Sequence, residues 1–168
     1  MKELKISIIY HSDSEDKNTE KMAQCIAEGC SMEGITVRVM SLDSYDKVFM
    51  CDSQAIIIGS PNWDGTCCWQ IKRFLDTELK GNVAGKLCAA FISQNQPCGG
   101  GSFALMSIIA AGLIHGMLIY SGGMSLGRPF THFGAISTKA PIDNDRECCV
   151  KLGQNIANKV IELFGDKN

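Results

Sequence analysis

Short runs of β-branched and other apolar residues, each closed by a polar or glycine-rich break and mostly followed by apolar residues at helical spacing, set the pattern of this chain. Ile6 to Tyr10 is the first such run, and it stops at His11. Ser12 to Thr19 then hold three hydroxyls, three carboxylates, an amide and a lysine. Met22, Ala23, Ile26, Ala27 and Cys30 follow at spacings of three and four, which predicts a helix starting at Asn18 or Thr19, either of which has a capping side chain. Ile35 to Met40 alternates apolar and polar and reads as an edge strand. Ser41 to Cys51 reads as irregular or a short helical turn. Ala55 to Gly59 is continuously apolar, the mark of a strand covered on both faces, and ends at Ser60-Pro61. Asn62 to Thr66 form a loop, and Trp69, Ile71, Phe74 and Leu75 open a helix. Leu87 to Ile92 is a fourth buried strand, followed by a loop from Ser93 to Gly101 and an almost wholly apolar helix from Phe103 to Ile114. Met117 to Tyr120 is the fifth strand. Ser121 to Pro141 is glycine-rich and longer than an ordinary loop of a compact domain. The last helix, with Asp143 as its cap, buries Cys149, Leu152, Ile156, Val160 and Phe164.

Strands alternating with helices in this way specify an α/β fold: a doubly wound, five-stranded parallel sheet with right-handed crossovers, order 2-1-3-4-5 and helices on both faces. In that order the chain reverses direction between strands 1 and 3, and the loops after strands 1, 3 and 4 meet at one crevice outside the carboxyl ends of the strands. The first of these loops enters a helix N-terminus, whose free N–H groups and dipole suit a phosphate. Taken alone it is equally an ordinary turn with Ser and Asp as caps. The meeting of three loops favours a site.

Composition narrows the field. A chain of 168 residues, 45% hydrophobic and without a linker-like stretch, is read as one domain over residues 1–168. A formal charge of −2 with no Lys/Arg cluster argues against nucleic acid and anionic membrane as partners. Met1-Lys2-Glu3 leads into the first strand with no signal segment ahead of it, which gives a cytoplasmic expectation. Phe103 to Tyr120, the most apolar region, is interrupted by Ser107, Gly112, His115 and Gly116 and falls short of the ~20 apolar residues of a membrane span. The nine cysteines are odd in number, several lie in apolar runs (Cys25, Cys30, Cys88), and no C-x-x-C occurs. They read as reduced thiols, and the vicinal pairs Cys67-Cys68 and Cys148-Cys149 lack the spacing of a metal site.

The run IIYHSDSEDKNTEKMAQCIAEG, the segment GSPNW.G ahead of a helix ending KRFLD, and a Ser-led loop closing in GGG together resemble the flavodoxin-like FMN proteins. Within them the chain is most similar to the WrbA-type NAD(P)H:quinone oxidoreductases and the NADPH-dependent FMN reductases, over nearly its whole length. The resemblance implies that Ser12, Ser14, Lys17, Asn18 and Thr19 hold the FMN phosphate. It implies that Pro61, Asn62, Trp63 and Asp64 meet the isoalloxazine, with Trp63 flanking the ring, and that Ser93, Gln94, Asn95, Gly99 and Gly100 form the third wall. His115 matches a family histidine that reaches FMN, in tetrameric members from a neighbouring subunit. The first loop departs from the family: it is longer, lacks the usual glycine, and gains Asp13, Glu15 and Asp16. A carboxylate ~4 Å from a phosphate charge costs about 1 kcal/mol in water-like surroundings, so these three are expected to face solvent.

The chemistry implied is the cofactor's own, at flavin N5, with no catalytic side chain expected. NAD(P)H is the expected donor and a quinone or similar small molecule the acceptor, in a homodimer or homotetramer joined through the helix from Phe103 to Ile114. The segment Gly122 to Ala135, with Arg128, Phe130 and His132, is expected to cover the flavin. Two alternatives stay open: a flavodoxin-type one-electron carrier, and a degenerate member that has lost the flavin through its acidic first loop.

Overall fold

A computed structural model describes residues 3–166; the expected leader-free start at Met1-Lys2 lies outside them. The chain runs β1 (Leu4–Tyr10), α1 (Asn18–Cys30), β2 (Ile35–Ser41), a 3-10 turn at Leu42–Ser44, α2 (Lys47–Asp52), β3 (Ala55–Trp63), β4 (Thr66–Cys67) and α3 (Trp69–Thr77). It continues with β5 (Leu87–Gln94), α4 (Gly101–Ile114), β6 (Leu118–Ile119), β7 (Ala135–Thr138) and α5 (Asp143–Phe164). The parallel order is β2-β1-β3-β5-β6, with β7 also on β5 and β4 folded back antiparallel on β3. This is the doubly wound arrangement expected, with the reversal between β1 and β3.

Alternation along β1 shows why the sheet needs cover on both faces. Ile6 and Ile8 pack with Met22 and Ile26 of α1 and with Leu152 and Ile156 of α5. Ile9 points the other way, into a layer with Met50, Ile71, Leu75, Leu105 and Ile108 from α2, α3 and α4. In the central strands Ile56, Ile57 and Ile58 are all fully buried, so the unbroken apolar run is what a two-sided strand requires.

Three boundaries differ from the pattern-based reading. β3 does not end at Ser60-Pro61: it continues to Trp63 and turns back through Asp64 and Gly65, both at positive φ (47° and 81°), the combination that a tight two-residue hairpin takes. The fifth strand is split. Leu118 and Ile119 pair with Leu87 and Cys88, the chain then leaves the edge, and Ala135 to Thr138 return to pair with Phe91 to Gln94. The excursion hid the second stub inside what reads as a loop. Asp143 lies inside α5 and does not cap it; Asp145 instead accepts the Thr138 N–H at 3.1 Å and ties the helix to β7.

The excursion is anchored from below. Thr131 is buried and donates to the Ser121 carbonyl at 2.6 Å, and Asn155 of α5, also buried, donates to the same carbonyl at 2.9 Å. No helix among the described residues is long and apolar enough to cross a membrane. All nine cysteines are free. Burial pushes the Cys30 and Cys88 thiols up to about 12, which leaves them inert.

α1 and α5 cross at a contact between backbones. A Cβ on Gly29 would stand 2.0 Å from the Val150 carbonyl oxygen, and one on Gly153 would stand 2.1 Å from that of Ile26. Helix propensity alone would have Gly153→Ala gain about 1 kcal/mol. The contact reverses the sign: the helices must move apart, and overpacking of this kind costs about 1–3 kcal/mol, read as a lower urea midpoint with an unchanged slope.

Candidate functional site

Three strands end on the same side, and their loops enclose a cleft of about 210 Å³. Asp13, Ser14 and Asn18 line it from the first loop, Pro61 to Asp64 from the β3–β4 hairpin, and Ser93, Gln94 and Asn95 from the end of β5. The loops expected to converge do so.

Side-chain hydrogen bonds hold the loops to one another. The Thr19 and Ser93 hydroxyls pair at 2.8 Å, joining the start of α1 to the end of β5, both residues being buried. Asn62 donates from Nδ2 to the Gly99 carbonyl and accepts the Gly65 N–H at Oδ1 (3.1 Å). Gln94 accepts the Gly101 N–H at Oε1 (3.1 Å) and donates to Thr138 Oγ1 (3.3 Å). Gly65 and Gly100 approach so closely that a Cβ on Gly100, which has φ +86°, would lie 3.2 Å from the Gly65 Cα. Second and third loops therefore touch through their backbones. Thr19, Asn62, Ser93 and Gln94, expected to face a ligand, spend these side-chain groups on bracing the cleft.

The first loop is left unfinished. Lys17 occupies the N-cap position in the left-handed region, with no side-chain cap, so neither Asn18 nor Thr19 caps the helix as the sequence suggested. Lys17 Nζ turns back to the Ser12 carbonyl at 3.0 Å. Ser12 Oγ and Asn18 Oδ1 are buried without a hydrogen-bond partner. An uncapped N-terminus leaves N–H groups free, and with the unpaired Ser12 hydroxyl of the same loop it offers the kind of donor set a phosphate takes. Asp13, Glu15 and Asp16 are exposed, as expected of carboxylates beside such a site.

His11 is the residue that the sequence reading passed over. It is buried, neither ring nitrogen has a hydrogen-bond partner, and Nε2 stands 3.9 Å from an Asp13 carboxylate oxygen. Its position directly after a buried strand and ahead of Ser12 was the available signal. Burial raises the thiol pKa of Cys68, behind the hairpin, and its N–H is taken by Ser60 Oγ at 2.9 Å. Among the described residues no three His, Cys, Asp or Glu side chains group as metal ligands.

Two expected contributors lie elsewhere. His115 ends α4 at the opposite end of the sheet, its Nε2 2.9 Å from the Leu75 carbonyl and its neighbour Gly116 bonded to Gly85 ahead of β5. It does not reach the cleft of its own chain, because α4 runs antiparallel to the strands. Residues 121–134 also line no part of the cleft. They fold over the sheet edge, where Arg128 stacks on Phe130 with its guanidinium 4.7 Å from the ring centroid.

A doubly wound sheet with a phosphate-type helix N-terminus, an aromatic hairpin and a glycine loop at its switch point defines a mononucleotide-binding protein of the flavodoxin-like class. The flavodoxin family model matches residues 8–107. A flavodoxin from Clostridium saccharobutylicum is 39% identical over 162 residues, 96% of this chain and 100% of that protein. A protein named NAD(P)H dehydrogenase (quinone) from Archaeoglobus fulgidus is 28% identical over 190 residues, 95% of this chain and 98% of the relative. The solved structure of a flavodoxin, WrbA-like protein from Agrobacterium tumefaciens superposes with a TM-score of 0.76 at 22% identity, covering 95% of this chain and 98% of the other. The chain belongs to the flavodoxin family, and with it to a family of FMN proteins.

Asn62 is the brace most open to test. Asn62→Ala frees the Gly99 carbonyl and the Gly65 N–H, and at about 1 kcal/mol per bond should lower unfolding stability by about 2 kcal/mol. Asn95→Ala, at an exposed position on the same cleft, should leave the urea midpoint within about 0.5 kcal/mol of the parent.

Proposed function

We propose that the protein binds FMN in the three-loop cleft and works as a flavodoxin-type electron carrier, exchanging electrons with partner proteins. The observation that carries this reading is the exposed rim of the cleft. Trp63 at its rim is 55% exposed, and the long segment expected to build an acceptor pocket over it contributes no wall. A site of that form leaves one edge of a flat ligand at the protein surface, where a partner protein reaches it and a small substrate finds little enclosure. The flavodoxin match, 39% identical over 96% of the chain, supports the same reading more strongly than the 28% identical quinone dehydrogenase supports the enzyme.

The residues fit the group. The α1 N-terminus and the Ser12 hydroxyl hold the phosphate, with Ser14 at the mouth. Backbone groups of Pro61 to Asp64 and of Asn95 to Gly100 border the ring, held in place by the Asn62 and Gln94 braces. Bound FMN supplies the redox chemistry. Asp13, Glu15, Asp16 and Asp64 set exposed carboxylates around the opening, which steers a basic partner and disfavours an anionic donor such as NADPH.

Ser12→Ala tests the phosphate assignment with opposite signs in two states. Without FMN, deleting an unpaired buried hydroxyl should be neutral or stabilising in urea titration. FMN affinity should fall by about 1–1.5 kcal/mol, roughly tenfold, by titration of the apoprotein. An unchanged affinity puts the phosphate elsewhere.

The carrier reading is tested by turnover. Flavin-loaded protein should accept electrons from a flavin-containing reductase protein at a rate that falls with ionic strength. With NADH or NADPH and benzoquinone it should turn over no faster than free FMN. Turnover near the enzyme median of about 10 s⁻¹ would make it a quinone reductase instead.

A further inference from the structure

We propose that α4, together with the chain segment beside it, forms a two-fold interface between two copies of this protein. α4 buries Ala104, Leu105, Ile108, Ile109 and Gly112 against the sheet. Its other side is apolar too. Phe103, Met106, Ala110, Leu113 and Ile114 recur at three, four, three and one residues, which places them on one outward face. Phe103 is 74% exposed and Ile114 82%. The 121–134 excursion widens the face: Phe133 and Met106 line one groove of about 440 Å³, and Met124 and Leu126, both exposed, flank the Ser125 that borders it.

Extent and charge identify the occupant. At about 150–250 Å² for a large side chain, these partly exposed residues present on the order of 800 Å² of apolar surface. That is about one partner's share of a stable protein interface, and more than the largest apolar patch of an ordinary monomer. From Leu87 to Gly127 the sequence contains no Asp, Glu, Lys or Arg, so α4 itself carries nothing with which to steer or orient a transient redox partner, and Arg128, the first charge beyond it, is stacked on Phe130. The carboxylates that would do so surround the cleft. A second copy needs no charge complementarity, because an isologous contact sets the same apolar stripe against itself. Ala110, near the middle of the stripe, admits a close antiparallel approach with Phe103 of one copy over Leu113 and Ile114 of the other.

Sedimentation of the flavin-loaded protein at tens of micromolar should give about twice the 18.2 kDa chain mass. The dimer should persist at 1 M salt, where the Debye length is about 3 Å. Met106→Glu and Ile114→Glu should each sediment as a monomer with an unchanged far-ultraviolet spectrum and a full complement of FMN. Val48→Glu, at an exposed apolar position on α2, should remain dimeric. The parent's urea midpoint should rise with protein concentration and those of the two α4 variants should not. A monomeric parent, a dimer that either α4 variant leaves intact, or a monomer that instead captures vesicles or a redox protein through this face would each overturn the proposal.

Discussion

A parallel sheet has to be covered on both faces, and the rest of this structure follows from that constraint. A crossover helix carries the chain from one parallel strand back to the start of the next, so the parallel strands deliver their carboxyl ends to one side of the molecule. At the point where successive crossovers go to opposite faces, no helix closes the gap between neighbouring loops. The cleft occupies that gap. Its position is a consequence of topology, and the residues in it decide only what it holds.

Those residues divide their work. Side chains that look like ligand contacts, Thr19, Asn62, Ser93 and Gln94, hydrogen-bond one loop to the next. What remains for a ligand is largely backbone: an uncapped helix start, a hairpin at positive φ, and a glycine stretch close enough to touch it. Backbone groups cannot swing away, so a site built from them is ordered before the ligand arrives. The acidic first loop is compatible with this because Glu15 and Asp16 are exposed and line no part of the cleft, and the Asp13 carboxylate, at the cleft wall, lies 3.9 Å from His11 Nε2.

The fold was legible in the sequence because strand burial leaves a strong mark: Ile56 to Ile58 has no polar residue to place in water. The three cleft loops were legible for the same reason, as interruptions of that pattern. The roles of individual side chains were not, since a Thr that pairs with Ser93 and a Thr that binds a ligand look alike until both ends are in place. Trp63 read as part of a loop because a hairpin of two-residue strands gives no alternation to detect. His115 lies at the far end of an antiparallel helix, away from its own chain's cleft, and residue type alone does not say whether a histidine serves its own chain or a neighbouring one. Ala135 to Thr138 was missed because strand pairing across a fifteen-residue excursion is a long-range fact with no local signature.

The split fifth strand has a protective effect as well. A sheet edge with a long run of free N–H and C=O groups invites another chain to add a strand. Here the edge beside β5 is offered only as a two-residue and a four-residue stub, laid in turn along β5 and separated by a folded excursion clamped to Asn155. Neither stub is long enough to template an incoming strand. The same insertion that widens the apolar surface beside α4 therefore keeps that side of the molecule from growing by β-addition.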